Sequence, residues 1–195
     1  MTNLPGSNLY QDAQEIIKTS LQAVQPDAAV NKSLNDISWR HGNGKVILIS
    51  IGKAAWKMAQ SAMKTVGSIV TDGVVITKYG HSIGSLPGLT IYEAGHPVPD
   101  ENSFAATEAA IQVVSGLSQD DTVLFLISGG GSALFEKPLV PAAELERITR
   151  QLLASGADIV EMNTIRKRLS TVKGGRFAQI CASAKIYDVC CEGRK

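Results

Sequence analysis

The sequence is poor in several things. Aromatic residues make up 5% of the 195, too few for the interleaved rings of a base-stacking surface. Neither sign of charge dominates: 19 Lys and Arg against 18 Asp and Glu leave a formal +1, without the basic excess of a nucleic-acid footprint. No nucleic-acid partner is therefore expected. The cysteines are three, Cys181, Cys190 and Cys191. Their odd count and spacing match no disulfide framework or metal knuckle, so a reducing cytoplasm is the default compartment. No apolar run reaches the ~20 residues needed to cross a bilayer, so no membrane partner is expected. The opening "MTNLPGSNLYQDAQ" lacks the basic and apolar regions of a secretory signal. What remains is a globular composition, 44% hydrophobic and 19% charged, long enough for one domain with a substantial core.

Apolar runs then alternate with amphipathic ones. "NLYQDAQEIIKTSLQAVQ", residues 8–25, reads as a helix, because Leu9, Ala13, Ile16, Ile17, Leu21 and Val24 fall near one face at helical spacing. Asn8 is placed to cap it and Pro26 to follow its end. A polar loop, "NKSLNDISWRHGNGK", is expected next. "VILISIG", residues 46–52, has the β-branched character of a strand buried on both faces. "KAAWKMAQSAMKTV" has helix composition. Strands follow around 73–78, in "GLTIYEAG" and in "DTVLFLIS". Helices are expected in "DENSFAATEAAIQVVSGL", capped by Asp100, in "PAAELERITRQLLASG", with Pro141 near its start and Gly156 at its end, and in "DIVEMNTIRKRLSTV". Strand–helix alternation predicts an α/β fold, a doubly wound and mostly parallel sheet with helices on both faces.

Ligands of such sheets bind outside the carboxyl ends of the strands, so the residues after each strand are the candidates. The first strand ends in "SIGKAA". Gly52 allows a tight turn, and Lys53 stands where a helix begins, with free N–H groups that favour anions. A solvated helix-start lysine is the competing reading, and no Walker loop is present. "EAGHPVPDENS" carries His96 on a loop stiffened by Pro97 and Pro99, fit for positioning a substrate or for a merely ordered connection. His41 and His81 give no signal. "SGGGSALF" sets Gly129, Gly130 and Gly131 between Ser128 and Ser132, so that successive N–H groups can gather round one oxyanion. Neither the "GxSxG" elbow nor the dinucleotide "GxGxxG" fits it; a plain strand-to-helix turn is the alternative. Finally, Arg166, Lys167, Arg168, Lys173 and Arg176 crowd into residues 166–176. They can clamp phosphate or carboxylate or form a solvated helix face.

In order, "IGKAAWKMA", "TDGVVITKYGH", "EAGHPVPDENS", "LISGGGSALF" and "MNTIRKRLSTVKGGRFA" resemble the N-terminal domain of the type II glycerate 2-kinases. This is the MOFRL-type family, whose bacterial members also carry the label hydroxypyruvate reductase of the tartrate pathway. The resemblance covers roughly residues 8–187. It implies a Rossmann-like domain and ATP-dependent phosphorylation of D-glycerate to 2-phosphoglycerate, with Mg²⁺ or another divalent cation. The implied cleft lies between this domain and a smaller second one. Lys53 matches the lysine regarded as essential, and Ser128, Gly129, Gly130, Gly131, Ser132 and the "KGGR" segment match cleft-lining positions. His96, Arg166 and Lys173 are further candidates for binding phosphate or substrate. Mg²⁺ would rest largely on nucleotide oxygens and water, with Glu161 as the carboxylate to test.

The partners implied are glycerate and ATP, with a homodimer left open. The family pattern breaks at "AKIYDVCCEGRK". Residues 1–187 are thus expected to form the domain, 188–195 a divergent tail, and the second domain with its essential arginine to be absent, as in a frameshifted or prematurely ended reading frame, with the genuine short tail of a single-domain homologue as the other reading. Two alternatives accompany the kinase reading. One is a hydroxypyruvate reductase using NAD(P)H, against which the missing dinucleotide fingerprint counts. The other is a catalytically inactive half-enzyme that binds an anion.

Overall fold

The apolar runs pair side by side. The computed structural model describes residues 7–23, 25–39 and 44–191. The elements are α1 (Ser7–Ala23), α2 (Pro26–Asn35), β1 (Val46–Ile51), α3 (Ala55–Val66), β2 (Asp72–Lys78), β3 (Thr90–Ala94), α4 (Glu101–Val114), β4 (Thr122–Ser128), α5 (Gly131–Leu134), α6 (Ala142–Ala154), α7 (Ile159–Arg168), α8 (Arg176–Ile180) and β5 (Lys185–Cys191). Val24, His41 and the last four residues of the expected tail lie outside the described residues.

The strands form one sheet in the order β3-β2-β1-β4-β5, and every neighbouring pair is parallel. Parallel pairing requires a crossover between consecutive strands. The winding runs outward from β1 to β3, then returns to place β4 against the other side of β1. The doubly wound expectation holds, and the sheet is wholly rather than mostly parallel.

Period-two alternation divides the core between the two faces. Ile47, Ile49, Ile51, Val74, Ile76 and Val123 point to one face, where Ala106, Ala110 and Val114 of α4 and Phe177 of α8 cover them. Leu48, Val75, Leu124 and Leu126 point to the other, under Met58, Ala59 and Ala62 of α3 and Val30 and Leu34 of α2. Phe125, Phe135 and Phe177 form an aromatic cluster at one end, with ring centroids 4.9–5.8 Å apart.

Three expectations need correction. The first turns of the expected polar loop are helical. Pro26 opens α2 at its first turn, where its missing N–H is no loss, instead of closing α1. Asn31 of this helix accepts hydrogen bonds from Ser61 and Thr65 of α3, while Val30 and Leu34 are buried. Helix α1 forms as expected, but its apolar side chains stay in solvent: Leu9, Ile16, Ile17 and Leu21 are all more than half exposed. The boundary after residue 187 is the third correction. Strand β5 runs through it, registered on β4 from Thr122↔Lys185 to Ser128↔Cys191. Ile186, Tyr187 and Val189 suit a pleated, half-buried surface, and Val189 is buried. Tyr187 packs its ring against Trp39, 5.9 Å between centroids.

Candidate anion-binding cleft at the switch point of the sheet

The winding reverses between β1 and β4, and at such a switch point the loops beyond the strands part and leave a crevice. Here two loops meet: Gly52–Ala54 after β1 and Gly129–Gly130 after β4. They are bonded to each other. Lys53 N–H donates to Gly129 O at 2.9 Å, Ala54 N–H donates to the Ser128 hydroxyl at 3.0 Å, and that hydroxyl donates to Ile51 O at 3.2 Å. Gly52 has φ +115°, and a side chain there would run into the Ser128 carbonyl, so the close approach depends on glycine. The N–H groups at the start of α3, expected to be free for an anion, are thus taken: Lys53 and Ala54 by the neighbouring loop, Ala55 by Gly52 O. What remains for a ligand on this side is the exposed Lys53 side chain.

The glycine loop itself keeps its donors. Among the described residues, none accepts a hydrogen bond from the N–H of Gly130, Gly131 or Ser132. Gly130 sits at φ +89° and starts α5. A Cβ there would stand 2.9 Å from the His96 ring and 3.2 Å from Lys53 Cγ, so both side chains close over the loop. The structure thus brings Lys53, His96 and the "SGGG" loop together. Burial, and after it the charges of Lys53, Lys78 and His81, hold the His96 imidazole below the usual histidine range, so it is neutral at neutral pH. Sequence reasoning gave His81 no role, yet its Nδ1 lies 3.0 Å from Lys53 O. The His96 loop is anchored by Asp100. This residue caps α4 through Ser103 N–H at 2.9 Å and accepts from Tyr79 Oη at 2.7 Å.

On the other side of the loop lies a cleft of about 400 Å³, lined by Ser128–Ser132, Asn163, Arg166, Lys167, Lys173 and Gly174, with Phe125, Phe135 and Phe177 among its apolar residues. Arg166 and Lys173, foreseen as anion anchors, both reach it. The "KGGR" turn that carries Lys173 is braced from within. Arg176 donates to the carbonyls of Lys167, Arg168 and Ser170, so its guanidinium holds backbone rather than ligand. Lys173 is mostly buried, which pushes its ammonium down to about 8. Its ion-pair partner is the buried carboxylate of Glu136.

Glu161 is not brought to this cleft. Its carboxylate accepts Asp158 N–H at 3.0 Å while Asp158 accepts Glu161 N–H at 2.8 Å, a reciprocal cap of α7. Among the described residues no three His, Cys, Asp or Glu stand close enough to hold a metal ion. Ser128 lines the cleft, but its hydroxyl is engaged in joining the two loops.

The fold and the cleft define an α/β domain of the doubly wound class, with a glycine loop of uncommitted N–H donors and several cations collected at the switch point. The chain belongs to the family described as "Domain of unknown function (DUF4147)", whose model matches residues 12–191. It is 51% identical to a D-glycerate 2-kinase of Thermotoga maritima, over 92% of this chain and 42% of that protein. It is 37% identical to a putative hydroxypyruvate reductase of Agrobacterium vitis, over 90% of this chain and 40% of that one. A crystal structure of glycerate kinase from Thermotoga maritima superposes with a TM-score of 0.88 at 49% identity, covering 94% of this chain and 44% of that one. The five-motif resemblance to the glycerate 2-kinases thus agrees with independent comparison. The chain spans about two-fifths of the length of these relatives.

Proposed function

We propose that this chain is the N-terminal part of a glycerate 2-kinase and supplies one wall of its cleft, for ATP-dependent phosphorylation of D-glycerate at the 2-hydroxyl. The observation that carries this reading is the glycine loop with its uncommitted N–H donors, set among Lys53, Arg166 and Lys173. Phosphoryl transfer asks a protein for positioning and charge stabilisation more than for covalent chemistry, and these groups offer both. In a direct in-line transfer, the bond from the 2-hydroxyl oxygen to the γ-phosphorus forms as the bond to ADP breaks, and the hydroxyl proton passes to solvent. Lys53 neutralises charge on the transferred group. Gly130, Gly131 and Ser132 donate to phosphate or carboxylate oxygens, while Arg166 and Lys173 anchor an anion. Neutral His96 orients the Lys53 end of the loop.

The chain's described residues give a divalent cation no ready cage. The steps assigned to this chain are those of its cations and backbone donors. A small oxyanionic substrate suits the size and charge of the cleft lining. The reductase label of one relative finds no dinucleotide fingerprint at any strand end in this chain.

The test is ADP release dependent on both ATP and D-glycerate, measured on the 195-residue chain and on the same chain joined to the remaining part of a relative. Lys53→Ala in the joined protein should lower kcat/KM by about 10²-fold or more, as loss of a charge stabiliser does, with the thermal midpoint unchanged. Full activity in that variant would remove Lys53 from the mechanism. Oxidation of NADH by hydroxypyruvate in place of ADP release would overturn the kinase reading.

A further inference from the structure

Five ion pairs join the described residues. In four of them both side chains are more than one-third exposed. The fifth, Lys173–Glu136, is different: the side chains are 14% and 2% exposed. Glu136 is among the most deeply buried of the described side chains, and its second oxygen, Oε1, is buried without a hydrogen-bond partner among the described residues. A buried ion pair is weak support for a fold, since apolar residues of similar volume often serve stability as well or better. An orphaned carboxylate oxygen makes this one costlier still. Stability alone therefore gives no account of Glu136.

Its position does. Glu136 stands two residues past the end of α5, the short helix that the glycine loop opens. Lys173 stands on the turn after α7 and faces the cleft with Gly129–Gly131 and Arg166. The two segments are laced together: Thr171 N–H donates to Lys137 O at 2.8 Å and Leu139 N–H to Leu169 O at 2.8 Å. The ion pair thus ties the chain leaving the glycine loop to the cation on the opposite wall.

We propose that Glu136 is a positioning residue, whose buried carboxylate holds the Lys173 ammonium in the cleft wall as an anchor for an oxyanion. This rests on the reading of the cleft as an anion site. A single lysine on a flexible stem is a mobile point charge; tethered at one hydrogen, it presents the others at a fixed place. The oxyanion has two sources within the proposed reaction, a polyphosphate or the carboxylate of a small hydroxy acid, and the arms below separate them.

The experiment measures binding of tripolyphosphate and, separately, of D-glycerate to the 195-residue chain by calorimetry. The ¹³Cε resonance of Lys173 is followed in the same titrations. The anchored anion is the one whose addition moves that resonance. Glu136→Gln should weaken binding of that anion about tenfold or more, the scale of a lost charge-assisted hydrogen bond, and should abolish the shift of the resonance. Glu136→Asp, which keeps the charge on a shorter stem, should recover part of both. In a Lys173→Met background, Glu136→Gln should add nothing further. The double variant Glu136→Met with Lys173→Met replaces the pair by apolar volume, so it folds where the single variant fails; it should keep the thermal midpoint and bind as weakly as Lys173→Met.

Wild-type binding with unchanged affinity in Glu136→Gln, or in the double variant, overturns the positioning role and leaves the cleft reading standing. Absence of binding of both anions to the wild type overturns the cleft reading, and the proposal with it.

Discussion

Gly52 offers a direct measure of how tightly the two site loops are joined. Its φ of +115° is one that L side chains rarely adopt. A Cβ there would stand 2.7 Å from the Ser128 carbonyl carbon, with the carbonyl oxygen and hydroxyl nearer still. Two of the three obstructing atoms are backbone, so a rotamer change of Ser128 does not relieve the clash. Gly80 makes a matched control, with φ +74° and nothing within 4 Å of an added Cβ. For Gly80→Ala only the backbone term applies, about 1–2 kcal/mol. For Gly52→Ala a strained backbone of about 1–3 kcal/mol combines with overpacking of about 1–3 kcal/mol, giving about 2–6 kcal/mol. At about 2–4 °C per kcal/mol for a chain of this size, the expected fall in thermal midpoint is about 2–8 °C for Gly80→Ala and about 4–24 °C for Gly52→Ala, the larger fall belonging to Gly52→Ala. Circular dichroism melts of the two purified variants decide it. Adding Ser128→Ala to Gly52→Ala removes the hydroxyl but leaves the carbonyl in place, so the double variant should recover little. Equal midpoints for the two glycine variants, or full recovery in the double variant, would refute the claim that the loops are locked backbone to backbone.

Two further outcomes follow from polar groups at the sheet ends. Asp121 accepts N–H bonds from Lys45 and Ser118, both at 2.6 Å, and these hold its carboxyl below the usual aspartate range. Its contribution to stability is therefore full above the unfolded carboxylate range and lost as pH falls through its own lower value. Asp121→Asn should cost about 1–3 kcal/mol at neutral pH and show a shallower loss of stability on acidification than the wild type, in denaturant melts from pH 7 to 3. Asp100→Ala removes the cap of α4 and the bond to Tyr79. It should cost about 0.5–2 kcal/mol and, by loosening the His96 loop, broaden the His96 ring resonances in NMR spectra.

Much of this molecule was legible because its signals are local. The runs "VILISI" and "TVLFLIS" announce strands buried on both faces, and with them the carboxyl ends where Lys53 and the glycines stand. Asp100 and its Ser103 partner announce a helix start within four residues. The misreadings came where the deciding partner is distant or where one signal has two meanings. Pro26 can end one helix or begin another, and only the burial of Val30 and Leu34 against α3 decides. "DIVE" is itself a capping-box pattern, so the carboxylate of Glu161 had a local task that its proximity to arginines obscured. Arg176 looked like one more cleft cation, but three carbonyls of its own turn claim it. Glu136 carried no signal at all, since its partner lies far along the chain. Strand β5 was hidden because "KIYDVCC" was weighed against a family pattern rather than for its own alternation.

The bonds between Gly52–Ala54 and Ser128–Gly129 also have a mechanical meaning. They make the glycine-loop side of the cleft continuous with the sheet, so it moves only as the sheet moves. The opposing side is hung differently: α6 and α7, the latter bearing Arg166 and Lys167, have no buried residue between them. Elements with so little buried apolar contact open at low free-energy cost. One side of the cleft is thus fixed to the sheet and the other is carried on lightly buried helices, so local opening falls to the helical side.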